Sequence, residues 1–473
     1  MSSTDRQNRL LLTEDWKKVY QSFRNAEFKS YDFDSLRRTM IQYLRNNYPE
    51  DFNDYIESSE YLALIDVICF LGQNLAFRAD LNSRENYLEL AERRESVLRL
   101  ARLLAYNPKR NQCANGLIKF ETLSTTEEMT DSNGTNLSGQ TIIWNDPSNN
   151  NWKEQFTRVL NAALPLNNTV GKPAKSETIN SVLTQQYRFN GASSGNVPIF
   201  SFSKAVGGVT TRFEMVSTDI NVATKTIEEE PPIPGNNLAF LYREDGRGNG
   251  SANTGYFLHF RQGTLEPGDF EITNPQSNQS VAVDSPNIND KDVWLFSLNN
   301  AGTQVKQWTP VTATEGNNAI YNSVDKGTRD IYALQTRQDD KVNLVFADGT
   351  FGNIPQGSLR VYYRTSANRS MKVIPAELTN INFTLDYISK AGNLETLTVG
   401  VELKEQVSNA SSSETNASIK TNAPQTYYTQ NRMVTGEDYN ITPLSISQEI
   451  VKVKATNRIS SGISRYYDLR DAT

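Results

Sequence analysis

The sequence predicts a multidomain α+β protein: an N-terminal helical domain, a β-rich, sandwich-like middle, and a C-terminal region of mixed α/β character. Two textures carry that reading. Through about residue 106, apolar side chains recur at i, i+3, i+4 and i+7, the period of a helix with one buried face. From about residue 115, short runs such as GLIKFETL, TIIWN, PIFSFS, RFEMVS, LAFLY, YFLHFR and DVWLFSL are separated by clusters of Asn, Ser, Gly, Thr and Pro. Runs of that length argue all-β structure rather than βαβ units. Length agrees, because 473 residues exceed one domain when domains run at about 100–200 residues. The expected division is 1–112 helical, 113–335 β-rich, 336–404 a β domain containing a hairpin, and 405–473 mixed.

Thr13 is placed to cap a first helix, 13–25, with Trp16, Val19, Tyr20 and Phe23 on one stripe. A second, 32–48, opens at Asp32, aligns Phe33, Leu36, Met40, Tyr43 and Leu44, and stops at Pro49. Ser59 opens a third helix running through Phe77. Its apolar run, 62–77, is shorter than the roughly 20 residues of a membrane span and carries Asp66, Gln73 and Asn74, so it reads as a buried helix. The fourth, 92–106, sets Val97, Leu100, Ala101 and Leu104 on one stripe before Asn107-Pro108, and is expected to pack antiparallel on the third. Short helices are marginal alone in water. The stripes of the first two, rimmed by Lys17, Lys18, Arg37, Arg38 and Arg45, therefore read as a partner interface. Towards the C-terminus, NASSSETNASIKTNAP (409–424) reads as a linker, or as a short helix opened at Ser413 and closed by Pro424. Thr435 and Asp438 have capping-box spacing, and EIVKVKATNRI (449–459) alternates like a strand.

Composition excludes several classes of function. The chain is 37% apolar and 22% charged with a net charge of −6, which argues against a protein that coats nucleic acid. Two cysteines, Cys69 and Cys113, make no disulfide framework and suit a reducing compartment; Cys69, inside an apolar run, reads as a buried thiol. MSSTDRQNRLLL offers three consecutive apolar residues, too few for a signal-peptide core, so the sequons at 133–135, 136–138 and 167–169 carry no weight.

The glycine-rich loop of VFADGTFGNIPQGSLRVYYR (345–364) lacks the lysine of a phosphate-binding loop, and Asp348 is its lone carboxylate. Asp-Gly is a turn pair, so Asp348, Gly349, Gly352, Pro355 and Gly357 read as a chain reversal between two strands. DGRGNGSANTG (245–255) reads as a hairpin tip. His259, the single histidine, reads as a cross-strand neighbour without a second ligand. Glu127-Glu128 and Glu228-Glu229-Glu230 read as solvated faces. No catalytic, cofactor-binding or metal-binding residue is expected, and no enzyme emerges.

Three segments together resemble one family. NYLELAERRESVLRLARLLAYNPKRNQCANGLIKFE matches an N-terminal signature through Glu85, Leu88, Ala91, Arg94, Ser96, Val97, Leu100, Ala101, Tyr106 and Pro108. The 345–364 hairpin motif matches through Asp348, Gly349, Gly352, Pro355, Gly357, Tyr363 and Arg364. SETNASIKTNAPQTYYTQNRMVTGEDYN matches through Ser413, Glu414, Ile419, Ala423, Pro424, Arg432, Val434, Thr435, Asp438 and Tyr439. In order and spacing these resemble the baseplate wedge proteins of T4-like contractile-tailed phages, related to the baseplate J group. The resemblance implies a structural protein of the virion tail baseplate, assembled in the host cytoplasm. Its partners would be other wedge subunits, neighbouring wedges and a second copy of itself, with no nucleic acid, membrane or cofactor. It would join wedges into a ring around the hub and help relay the rearrangement before sheath contraction. Such family members commonly continue beyond a strand like 449–459, so the last region is expected to be incomplete. The competing expectation is a glycan-binding or glycan-cleaving tail component built on β-sandwich modules.

Overall fold

The computed structural model describes residues 32–47, 60–191, 200–235, 237–314, 329–350, 352–429, 432–446, 450 and 452–456. It comprises two compact units, Met1–Leu100 and Ala101–Thr473.

In the first unit, α1 (Phe33–Asn47) is capped by Asp32, whose carboxylate accepts the Ser35 N–H at 2.9 Å. It lies along α2 (Glu60–Arg84). Arg37 Nε donates to Asp66 Oδ1 at 2.7 Å, and Met40 Sδ sits 3.4 Å from Cys69 Sγ. Leu36 and Met40, read from sequence as partner-facing, are half-buried here, whereas Tyr43 is exposed. Leu44 falls in the last turn of α1. Trp16, Val19, Tyr20 and Phe23 lie outside the described residues.

Two expectations for α2 are corrected. It runs to Arg84 rather than Phe77, and it is not buried: only Ile65 and Cys69 of its apolar run are covered fully. Composition reports that a helix is apolar, not what covers it. The helix beside it is α1, not α3 (Arg94–Leu103). On α3 the buried residues are Val97, Leu98 and Ala101, with Leu100 half-buried, so the stripe is turned relative to the one read from sequence. The start of α3 is held by Glu85, whose carboxylate accepts the N–H groups of Glu92 and Arg93 at 3.0 and 3.2 Å.

The second unit opens with β1 (Asn115–Thr125) and β2 (Ile142–Ile143). Next comes α4 (Trp152–Ala162), a helix within the stretch read as all-β; Phe156, Val159 and Leu160 give it an inward face. Then follow β3 (Lys175–Ile179), β4 (Val182–Arg188), β5 (Phe200–Val206), β6 (Val209–Val216), β7 (Thr218–Asn221) and β8 (Thr226–Glu229). After them come β9 (Ala239–Glu244), β10 (Gly255–Gln262), β11 (Thr264–Ile272), β12 (Ser280–Val283), β13 (Ile288–Leu298), β14 (Gln304–Val311), β15 (Ile331–Thr336), β16 (Val342–Phe346) and β17 (Gly357–Thr365). The chain continues through β18 (Met371–Val373), β19 (Ile381–Ile388), β20 (Leu394–Glu402), β21 (Val407–Ala410), α5 (Asn416–Thr429) and α6 (Gly436–Ile446).

A ten-stranded sheet runs β19-β20-β1-β10-β9-β4-β3, with β2, β5 and β6 attached at its side. A seven-stranded sheet runs β11-β17-β13-β14-β15-β16-β12, and all seven strands feed one core, so it curls towards a barrel. The second sheet is thus inserted between strands of the first, across the boundary expected at 335/336. The first sheet's core is aromatic: Phe120, Phe189, Phe240, Tyr256 and Phe156 pack with centroids 4.5–6.5 Å apart, in the range of favourable ring contacts.

The loop between β16 and β17 is corrected as well. Both arms are strands, but three others, β13, β14 and β15, stand between them, so the loop is a crossover and not a hairpin. Turn chemistry is local, whereas pairing depends on distant strands. Instead, Asn353 N donates to Arg329 O at 2.7 Å, tying the loop across the start of β15. By contrast, the glycine-rich 245–254 segment does join an antiparallel pair, β9 and β10. Helix α5 passes through Pro424, which does not close it; Ile419 and Ala423 are fully buried and hold that face. In α6, Thr435 N donates to Asp438 Oδ2 at 2.8 Å and Asp438 N to Thr435 Oγ1 at 3.3 Å. Residues 450 and 452–456 form no strand.

Candidate functional site: a buried ionic joint and an exposed helix face

Strand alternation builds the joint. On β10, Tyr256, Leu258 and Phe260 point into the aromatic core, which sends His259 and Arg261 to the other face. On β17, Leu359 and Val361 fill the curled sheet's core, which sends Arg364 outward from it. The two outward faces meet. Arg364, fully buried, donates to both oxygens of Glu229 at 2.7 and 2.9 Å and to Glu214 Oε2 at 3.3 Å. Arg261 lies 3.2 Å from Glu229 and donates to Asp292 Oδ1 at 3.0 Å. Glu214 also accepts the Leu265 N–H at 3.1 Å, and Asp292 accepts Asn289 Nδ2 at 2.9 Å. Glu214 and Arg261 come from the first sheet, Arg364 and Asp292 from the second, and Glu229 from β8. Glu229, read as part of a solvated acidic run, is instead a buried ligand of both arginines.

The electrostatics follow from this packing. Burial works against the Arg364 and Arg261 charges, but Glu229 on the first and Asp292 on the second outweigh it and hold both guanidiniums firmly protonated. Burial likewise opposes the Asp292 charge, and Arg261 with Arg364 outweigh it, leaving that carboxyl below its usual range. For Glu214 burial wins and its carboxyl is raised. His259 is buried, its Nδ1 meets no partner, and burial followed by Arg261 and Arg364 pushes its imidazole well below the ordinary range. Burial, with Asp292 beside it, pushes the Cys113 thiol up to about 12, so it is a poor nucleophile. Two guanidiniums facing three largely buried carboxylates make a mechanical joint, since breaking such a set strands a buried charge.

Two residues of the resemblance motifs meet in a second polar contact of this unit. Tyr106 Oη donates to Glu414, 2.9 Å from each oxygen, and Glu414 also accepts Asn422 Nδ2 at 2.8 Å. The segment around Tyr106 is thereby fastened to the start of α5. Arg110, fully buried, donates to Asp290 O at 2.7 Å and ties the same segment to the curled sheet. Of the loop residues, Asp348 caps its own turn through the Thr350 N–H at 2.8 Å, and Gly349 and Gly357 hold φ of +94° and +83°. Pro355 is buried. A Cβ on Gly352 would lie 2.6 Å from Ala347 and 2.7 Å from Ile331. Arg432, ahead of α6, and Tyr439, within it, are exposed. Among the described residues no cluster of His, Cys, Asp and Glu is arranged to hold a metal ion.

The second feature belongs to the first unit. Leu64, Ile68, Leu71 and Leu75 are 60%, 51%, 54% and 66% exposed, and their 4-3-4 spacing is that of a coiled-coil seam. Phe70 and Phe77, one heptad apart, are 57% and 65% exposed on another side. With α1 on the third side, α2 is apolar nearly all round, and among the described residues one of its faces is covered by another helix. A helix of that kind belongs in an interior. By length and composition α2 is also apolar enough to cross a membrane.

Residues 32–103 match the family described as bacteriophage baseplate protein, N-terminal domain. The chain is therefore a structural protein of the phage tail baseplate. Residues 116–406, more than half of the chain, match a domain of unknown function (DUF8360), and the chain belongs to that family. No curated protein matches it.

Proposed function

We propose that this protein is a wedge component of a contractile-tail baseplate, without enzymatic activity. It joins neighbouring subunits through helices and helps relay the rearrangement that precedes sheath contraction. The observation that carries this reading is the uncovered α2 seam inside the baseplate N-terminal domain. A helix seam at heptad spacing suits another helix, where apolar anchors supply affinity. Partner helices fit better than lipid, because Asp66 on α2 is ion-paired with Arg37 at 2.7 Å and Gln73 and Asn74 interrupt the run. The occupants are other wedge subunits and a second copy of this chain. The Arg364 joint supports the relay, since two sheets clamped by buried ion pairs pass on displacement as one body.

The test is cross-linking mass spectrometry on assembled tails, with wild-type chain and with the seam variant Leu71→Glu. Wild-type cross-links from 60–84 should run to helices of other baseplate subunits, and the variant should fail to incorporate. Normal incorporation of the variant, or partition of the free chain into lipid vesicles, would refute the reading.

A further inference from the structure

A groove of about 530 Å³ runs along the seam between the two sheets, separate from the ionic joint. Strand β6 and the β10–β11 turn form one wall; the β12–β13 loop and the segment after β17 form the other. Gly263 closes its floor at φ +107°, where any Cβ would collide with the Thr365 carbonyl. The lining is rich in hydroxyl groups, including Thr264, Ser285 and Ser366.

Its two cations are under-used. Arg369 makes no side-chain hydrogen bond or ion pair among the described residues, and its Nε is buried with no partner. Such a donor is costly to leave unmade. Among the described residues, the Arg212 side chain donates only to the Ser201 hydroxyl, at 3.3 Å. Of the nearby carboxylates, Glu214 is engaged by Arg364 and Leu265 N, while Glu266 lines the same groove, so two guanidiniums stand there against one carboxylate. Arg212 stands on the first sheet and Arg369 follows β17 of the second, so an anion between them would bridge the sheets.

We propose that this groove binds the carboxylates of an acidic segment of a neighbouring protein, held between Arg212 and Arg369. Guanidinium pairs with carboxylate in a bidentate fork, which supplies direction as well as charge. The volume suits several residues of extended chain rather than one small anion, since a water molecule's share is about 30 Å³. Only the protein nature of the partner rests on the assembly reading above.

The experiment titrates a fluorescein-labelled hexaglutamate peptide against the full chain by anisotropy, with inorganic phosphate in a parallel arm. Arg369→Gln and Arg212→Gln should each weaken peptide binding about tenfold. Arg369→Lys should keep part of the affinity, Arg247→Gln on an exposed turn should change nothing, and melting curves check that each variant folds. Equal binding by every variant would mean diffuse charge and overturn the proposal. So would phosphate binding without peptide binding, or no binding of either. No other baseplate protein is needed, so failure here leaves the α2 reading untouched, and failure of α2 variants leaves the groove untouched.

Discussion

Arg364 and Leu71 break the partition of polar outside and apolar inside in opposite directions. Arg364 is a charge with no exposure, and Leu71 is an aliphatic side chain more than half exposed. The difference lies in where each finds its partner. Arg364 is answered within the chain by Glu229 and Glu214, at distances of 2.7–3.4 Å. The seam of α2 is answered by nothing described in its own unit beyond α1. An internally satisfied exception fixes the fold, and an unsatisfied one points outward to assembly.

Removing the Arg364 side chain should give the largest effect. Arg364→Ala leaves Glu214 buried without its cation and Glu229 with Arg261 alone, and should destabilise the second unit by about 3–5 kcal/mol in urea unfolding. Arg364→Met, which fills the space, should cost about as much, because the stranded carboxylates and not the void dominate. A loss below about 1 kcal/mol would mean that water enters the joint. Next in size is Gly352→Ala, which forces a methyl against Ala347 and Ile331 and should cost about 1–3 kcal/mol by overpacking. A neutral result would show that the crossover loop yields.

How much of this was legible beforehand depends on the range over which each feature is decided. The Thr435–Asp438 pair is a three-residue relation, and its spacing alone sufficed to find it. The β-runs at 239–244 and 255–262 pair with each other across a short loop and were legible too. Arms 342–346 and 357–365 look equally like a hairpin, yet their partners are β12 and β15 for one and β11 and β13 for the other, strands that local turn chemistry cannot specify. Glu229 stands in a run of three glutamates, which ordinarily means solvent; only the approach of Arg261 and Arg364 buries it. A cue did exist in YYR and FRQ, where an arginine follows the aromatic positions of strands buried on both faces. For α2, apolarity was legible and coverage was not, because coverage belongs to the neighbours.

A smaller, pH-dependent effect separates His259 from the ion pairs. Its folded pKa lies below the unfolded value near 6.5, so the unfolded chain takes up the proton first. Its contribution to stability is complete above about pH 6.5 and declines as pH falls below that, with a limiting slope of about 1.4 kcal/mol per pH unit. Since it is the single histidine, His259→Leu should flatten that slope between about pH 6.5 and 5, where the pairing of Asp292 does not yet titrate. An unchanged slope would show that the imidazole is hydrated in the native state.

The smallest effect on the free chain, and the largest on assembly, is expected at α2. Leu71→Gln should alter the free chain's stability by no more than about 0.5 kcal/mol, as at exposed positions generally. The most direct measurement of the central claim is amide hydrogen exchange across residues 60–84, in the free chain and in assembled baseplates. With partner helices closing the seam, these amides should exchange readily in the free chain, where few apolar contacts hold the helix, and become strongly protected on assembly. Equal protection in both states would mean that α2 is completed within its own chain, which contradicts the account.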